Sequence, residues 1–292
     1  MRFHEPAPYL GWKPCENSTF SNDLYSYQVG SFGERLDPTL NESGSSAPEI
    51  IFVGCSQTFG TGVACDATFS STVARETKAN TLNLAVSGYS TVQSLRRAEE
   101  YFRLAGDRRP RVLIYGLWFD HLKRNVEPYL ENDWMVSPQR PSVIRDGSAF
   151  RIREARSNPL AFRRWTAVSR GSVNEPFIRY RSWLTLRLAG DLDRSIASAW
   201  VTEHLLSAQV FHRTRVIILW IPNYLKMNEL KMAPIPAPLQ GKLSEISNLE
   251  IVDVTKSFGK YQFKDLVAAE GRDHHMSTKA HQICAESLLT IL

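Results

Sequence analysis

Five short apolar runs limit what this chain can fold into. They are Ile50–Val53, Thr81–Ala85, Arg111–Tyr115, Val216–Trp220 and Leu249–Val252. Each has the length of a strand and is rich in Val, Ile and Leu, the pattern of strands buried on both faces. Helical patterns lie between them. In TVQSLRRAEEYFRLAG (91–106), Val92, Leu95, Ala98, Phe102 and Ala105 share one face, and Gly106 ends the segment. Residues 194–209 also read as helix. In STKAHQICAESLLTIL (277–292), Ser277 is placed to cap a helix whose stripe is Ala280, Ile283, Cys284, Ser287, Leu288 and Ile291. Strands alternating with helices predict an α/β fold, a three-layer α/β/α sandwich with a short parallel sheet. Such sheets bind ligands beyond the carboxyl ends of their strands.

The remaining segments divide the chain. Residues 1–48 are rich in Pro, Ser, Asn and Gly and read as an N-terminal extension packed over a domain at 49–292. Residues 121–190 break the strand–helix alternation and read as an insertion. Between Arg140 and Arg187 stand eleven arginines, no lysine and three acids, a local net charge of +8 in a chain whose total is +5. Phe150, Phe162, Trp165, Phe177, Tyr180 and Trp183 accompany them. A basic patch attracts nucleic acid, anionic glycan or membrane surface. No nucleic-acid motif accompanies this one, so a solvated arginine-rich surface is the simpler reading and no nucleic-acid partner is expected. No apolar run approaches the ~20 residues of a spanning helix. The N-terminal MRFHEPAPYLGWKPCENS lacks a signal peptide's apolar centre, so a cytoplasmic location is expected, or a periplasmic one if a leader has been trimmed. Cys15, Cys55, Cys65 and Cys284 are widely spaced without a CxxC, which suggests reduced thiols and neither a zinc knuckle nor a disulfide framework.

The first run ends in Gly54-Cys55-Ser56 and turns through Gly60 and Gly62, in the stretch IIFVGCSQTFGTGV (50–63). A strand that only filled a core would not need these hinges. They suit a serine presented at the strand's end, with backbone N–H groups turned inward. A phosphate-cradling turn competes with this reading, but the Gly-Lys-Ser/Thr of a nucleotide P-loop is missing. A serine nucleophile needs a base and an oxyanion site.

GRDHHMSTKAHQ (271–282) supplies a candidate base. Asp273 and His275 stand just before the C-terminal helix, where a histidine can face a site while the acid orients its ring. His274 is adjacent and His281 lies within the helix. Three histidines and an aspartate in nine residues also compose a possible metal site, although 275 and 281 lack helical ligand spacing. NLAVSGYSTVQ (83–93) offers Asn83 and a turn glycine, Gly88, whose N–H can serve as an oxyanion donor or simply form an ordinary turn. VLIYGLWFDHLKRN (112–125) places Trp118 and Asp120 after Gly116, either facing the site or covering the sheet end.

These four stretches, in this order, resemble the SGNH (GDSL) hydrolase superfamily from about Gly54 to the C-terminus. The leader's Leu10-Gly11-Trp12 also resembles the front of bacterial members associated with surface or secreted glycans. The resemblance implies Ser56 as nucleophile, His275 as general base, Asp273 as its orienting acid and Gly88 as an oxyanion donor, with Cys55 at the usual Asp position. It implies no cofactor and no metal. The third block departs from the pattern: alignment on Asp120 puts Phe119 where the family carries an oxyanion-binding Asn, a loss worth ~3 kcal/mol, about a hundredfold or more in rate. The expected function is removal or transfer of an acyl group, acetyl in the first place, on an O-acylated carbohydrate or another small ester. The alternative is a catalytically impaired glycan-binding relative.

Overall fold

All five apolar runs become strands of one parallel sheet. The computed structural model describes residues 3–21, 25–40, 48–127, 140–155, 191–224, 232–268 and 274–292. The leader holds four short strands, β1 (His4–Ala7), β2 (Gly11–Pro14), β3 (Ser18–Ser21) and β4 (Ser26–Val29), paired as two antiparallel hairpins. The sheet is built from β5 (Ile50–Gly54), β6 (Thr81–Asn83), β7 (Val112–Trp118), β10 (Arg215–Ile221) and β11 (Leu249–Asp253). Between β7 and β10, β8 (Ser142–Asp146) and β9 (Ala149–Arg153) form a separate hairpin. Asp273 and most of the predicted arginine-rich insertion (128–139 and 156–190) lie outside the described residues.

The sheet order is β11-β10-β7-β5-β6, with every neighbouring pair parallel. The first strand, β5, therefore has the second on one side and the third on the other. Where the winding reverses, the connections leave β5 and β7 in opposite directions, and it is at such switch points that sheets of this kind bind ligands. That is where the chain places Gly54-Cys55-Ser56.

The helices are α1 (Ser56–Phe59), α2 (Phe69–Thr77), α3 (Thr91–Ala105), α4 (Asp120–Val126), α5 (Asp191–Leu206), α6 (Ala237–Leu243), α7 (Thr255–Phe258), α8 (Phe263–Leu266) and α9 (Thr278–Leu289). Alternate strand residues supply opposite faces of the sheet. Ile51, Val53, Leu113, Tyr115, Val216 and Ile218 pack with Val92, Leu95 and Phe102 of α3, Val201 and Leu205 of α5, and Leu239 of α6. Ile50, Phe52, Ile114, Ile217 and Leu219 pack with Phe69 and Val73 of α2 and with Ala280, Cys284 and Leu288 of α9. Continuous apolar strands are thus required by two covered faces, and each such side chain, fully buried, contributes about 1.5–3 kcal/mol. Ser277 caps α9 as its sequence predicts, its side chain accepting from Ala280 N–H. No helix among the described residues is long and apolar enough to cross a membrane.

The third strand reaches well beyond its sequence reading. β7 runs past Tyr115 to Trp118, because β10 pairs it residue for residue as far as Trp118 opposite Ile221. Trp118 is therefore a strand residue and not part of the following turn.

Candidate active site

The glycines around Ser56 answer to a close approach. Gly54 pairs with Gly116 across β5 and β7, and Thr58 of α1 sits over both. A methyl group on either glycine would collide with Thr58 Oγ1, and on Gly54 it would also lie 2.9 Å from the Gly116 carbonyl oxygen. The strand can then turn at once into α1, whose first residue is Ser56. Phe59 and Gly60 N–H donate back to Cys55 O and Ser56 O at 2.8 and 3.0 Å.

The leader and Asn83 fasten the far end of this turn. The Arg35 guanidinium lies over the paired rings of Tyr27 and Phe59, 4.7 and 5.1 Å from their centroids. Its guanidinium donates to Phe59 O (2.8 Å), Gly60 O and Val63 O (2.7 Å). Asn83 Nδ2 donates to Thr58 O and Ser70 Oγ, both at 3.0 Å, and its Oδ1 accepts from Ala85 N–H. A buried amide must satisfy its polar atoms internally, and this one supports the turn. Asn83 also borders a cavity of about 740 Å³ at the sheet's edge that Ser56, Gly88, Trp118, Asp120 and His275 do not line.

The segment carrying His275 meets the turn through the residue after Ser56. Gln57, 1% exposed, accepts from Met276 N–H through Oε1 at 3.0 Å. Tyr224, three residues beyond β10, directs its hydroxyl at Gln57 Oε1 (2.9 Å) and His274 O (3.1 Å). On the other side, Ala268 N–H donates to His275 O at 2.8 Å and Ser277 N–H to Leu266 O at 2.9 Å. His275 is half-buried and His274 exposed. The structure thus brings the Ser56 turn and the His275 loop into contact, while Asp273 lies outside the described residues.

Gly88 stands in the turn between β6 and α3 with a φ of 81°, a left-handed conformation that favours glycine. Trp12 of the leader donates from Nε1 to Ser87 O at 3.2 Å, and Tyr89 donates from its hydroxyl to Trp12 O at 2.6 Å, so the turn is held from both sides. Among the described residues neither Ser56 N–H nor Gly88 N–H is engaged in a hydrogen bond.

Trp118 and Asp120 lie at the same end of the sheet, gathered by a residue that sequence reasoning missed. The Arg124 guanidinium lies 4.9 Å above the Trp118 ring, donates to Tyr89 O at 3.1 Å and stands 3.8 Å from Asp120 Oδ2. Trp118 Nε1 is buried without a hydrogen-bond partner among the described residues. Phe119 packs edge-on against Trp220, with centroids 6.3 Å apart, and offers no donor. Burial raises the pKa of Cys55 despite the adjacent Arg124, so it stays a thiol, which suits a bystander.

Two further histidines are packed inside the fold. His281 is buried, accepts from Phe69 N–H through Nδ1 at 3.2 Å and stacks on the Phe69 ring. Burial, with Arg35 and His275 nearby, lowers its pKa to about 3. His121 is buried against the Tyr115 hydroxyl, 2.7 Å away, with its pKa held well below the usual range by burial and by Arg124 and Arg140. Among the described residues no group of three or more His, Cys, Asp or Glu is arranged to hold a metal.

Of the residues that shape this site, Gln57, Tyr224, Arg124 and Arg35 carry no motif of their own. Gln57 was legible only as the neighbour of Ser56, and Tyr224 only as the first hydroxyl after the fourth run.

No family model matches the chain, and no curated protein is similar to it. Solved structures similar to it include a member of the lipolytic protein G-D-S-L family from Veillonella parvula (13% identity, 83% of this chain and 97% of that one, TM-score 0.44). Others are an acetyl xylan esterase from the rumen bacterium Butyrivibrio proteoclasticus (11% identity, 85% and 64%, TM-score 0.40) and a carbohydrate esterase whose active site is described as displaying divergent catalytic and non-catalytic binding functions (13%, 85% and 69%, TM-score 0.41). The chain is similar to lipolytic G-D-S-L proteins and to carbohydrate esterases. The fold assignment itself stands on the chain's own strand order and register.

Proposed function

We propose that this protein is a serine ester hydrolase of the SGNH type, acting on a small acyl ester such as that of an O-acetylated carbohydrate. The observation that carries the reading is the junction at the switch-point strand. The turn opening on Ser56 is hydrogen-bonded, through Gln57, to the main chain on both sides of His275. Ser56 Oγ attacks the acyl carbonyl as His275 removes its proton, and the oxyanion is met by the N–H groups of Ser56 and Gly88. The alcohol leaves with the proton held by His275, giving an acyl-enzyme. His275 then takes a proton from water, which releases the acid, or from an acceptor hydroxyl, which transfers the acyl group. Asp273, two residues before His275, orients the imidazole in this scheme.

Phe119 favours a second reading, that of a glycan-binding relative with weakened catalysis. Without the third donor the oxyanion site loses ~3 kcal/mol of transition-state stabilisation. The esterase reading therefore predicts slow but Ser56-dependent turnover. The test is hydrolysis of p-nitrophenyl acetate and of an acetylated glycan by the parent and by Ser56→Ala, with a fluorophosphonate probe as reporter. Turnover and labelling that vanish in Ser56→Ala support the esterase. No turnover of either ester and no labelling of the parent selects the binding protein.

A further inference from the structure

We infer that Gln57 and Tyr224 form a neutral latch that positions His275 against Ser56, a role that rests on the esterase reading. The donor and acceptor accounting fixes how the latch is arranged. Met276 N–H can only donate, so Gln57 must present its oxygen there, which turns Nε2 towards His274 O at 3.5 Å, the limit of a hydrogen bond. The Tyr224 hydroxyl has one proton and two acceptors, Gln57 Oε1 at 2.9 Å and His274 O at 3.1 Å. The main-chain groups just before and just after His275 are thus both held by one side chain of the nucleophile turn. Tyr224 is itself fixed, fully buried and edge-on to Phe258 with centroids 5.9 Å apart.

The latch secures only one side of this region. Its outer side is already secured by Ala268 N–H on His275 O, by Ser277 N–H on Leu266 O and by the Ser277 cap of α9. What Gln57 and Tyr224 add is the side facing Ser56. They set how far the base stands from the nucleophile, a distance on which catalysis depends far more steeply than stability does: a displacement of about 1 Å costs on the order of a hundredfold in rate.

The test compares Tyr224→Phe, Gln57→Met and the double variant on p-nitrophenyl acetate, with amide exchange at Met276 and thermal melting measured alongside. Tyr224→Phe is expected to lower kcat about two- to tenfold, the worth of one neutral hydrogen bond. Gln57→Met is expected to lower it on the order of a hundredfold and to speed exchange of the Met276 amide. KM stays at the parent's value in both. The double variant falls no further than Gln57→Met, because the two side chains act as one unit. Folded variants with the parent's kcat, losses that multiply in full, or losses confined to KM would each overturn the latch. If Gln57→Met does not fold, Tyr224→Phe, which removes a single oxygen, decides the matter. A parent without Ser56-dependent turnover ends the esterase reading and the positioning role with it. An active parent whose variants are unchanged ends the latch alone.

Discussion

At the scale of single residues, the site is built on one tight contact. Gly54 and Gly116 face each other across two strands so that Thr58 can pack over both, and this lets the chain leave β5 and enter α1 within one residue. Gly116→Ala forces its methyl group into Thr58 Oγ1. Overpacking of this kind costs about 1–3 kcal/mol. Thr58→Ala in the same chain removes the colliding oxygen and leaves Thr58 Cβ as the nearest atom, at 3.2 Å, a contact that small shifts absorb. The double variant is therefore expected to regain most of the lost stability in urea unfolding. Gly54→Ala is expected to gain much less from Thr58→Ala, because Thr58 Cβ at 2.8 Å and Gly116 O at 2.9 Å remain in the way. Equal rescue at both glycines would show that Thr58 Oγ1 alone sets the contact.

At the scale of elements, the leader is part of the site's scaffold. Its first hairpin holds the Gly88 turn through Trp12, and the segment after its second holds the Ser56 turn through Arg35. Arg35 meets the carbonyl end of a four-residue helix with a cation, a favourable pairing with the helix dipole, and its planar fork reaches three carbonyl oxygens. Arg35→Ala is expected to destabilise the protein by at least about 3 kcal/mol, since three hydrogen bonds to a charged group, worth about 1.5–3 kcal/mol each, and the apolar stem are lost together. Arg35→Lys recovers little of that, because an ammonium lacks the fork; full recovery in denaturant titrations would mean that charge alone matters. The sheet strands were legible because burial on both faces demands unbroken apolar runs, and α9 because Ser277 and its stripe follow local rules. Arg35 and Tyr224 were not legible. Each acts on residues more than twenty positions away in the chain, and nothing in their own neighbourhoods records the partner. The same holds for the support that Asn83 gives: its partners, Thr58 and Ser70, are supplied only by the fold.

At the scale of the whole molecule, three buried histidines link stability to pH. His4 and His281 have pKa values lowered to about 3 by burial, and burial and neighbouring arginines hold His121 well below its usual range. Each is therefore neutral in the folded protein under conditions in which the unfolded chain, with an ordinary value near 6.5, takes up a proton. Their contribution is complete above about pH 6.5 and declines as pH falls towards 3, where the folded-state values of His4 and His281 lie. Between pH 6 and 5 each histidine lowers the unfolding free energy by up to about 1.4 kcal/mol per pH unit. Glu34, whose pKa burial raises, works in the opposite sense, because the folded state binds its proton more readily. One variant separates the terms. In His281→Asn the amide oxygen can take over the role of Nδ1, accepting from Phe69 N–H, while the titrating group is gone. Urea unfolding at pH 6.0, 5.5 and 5.0 is expected to show the parent losing stability steadily and the variant losing it more gently, by about 1.4 kcal/mol per pH unit at most. Equal slopes in the two proteins would mean that His281 is protonated in the folded state, and its place against the Phe69 ring would then have to open to admit the charge.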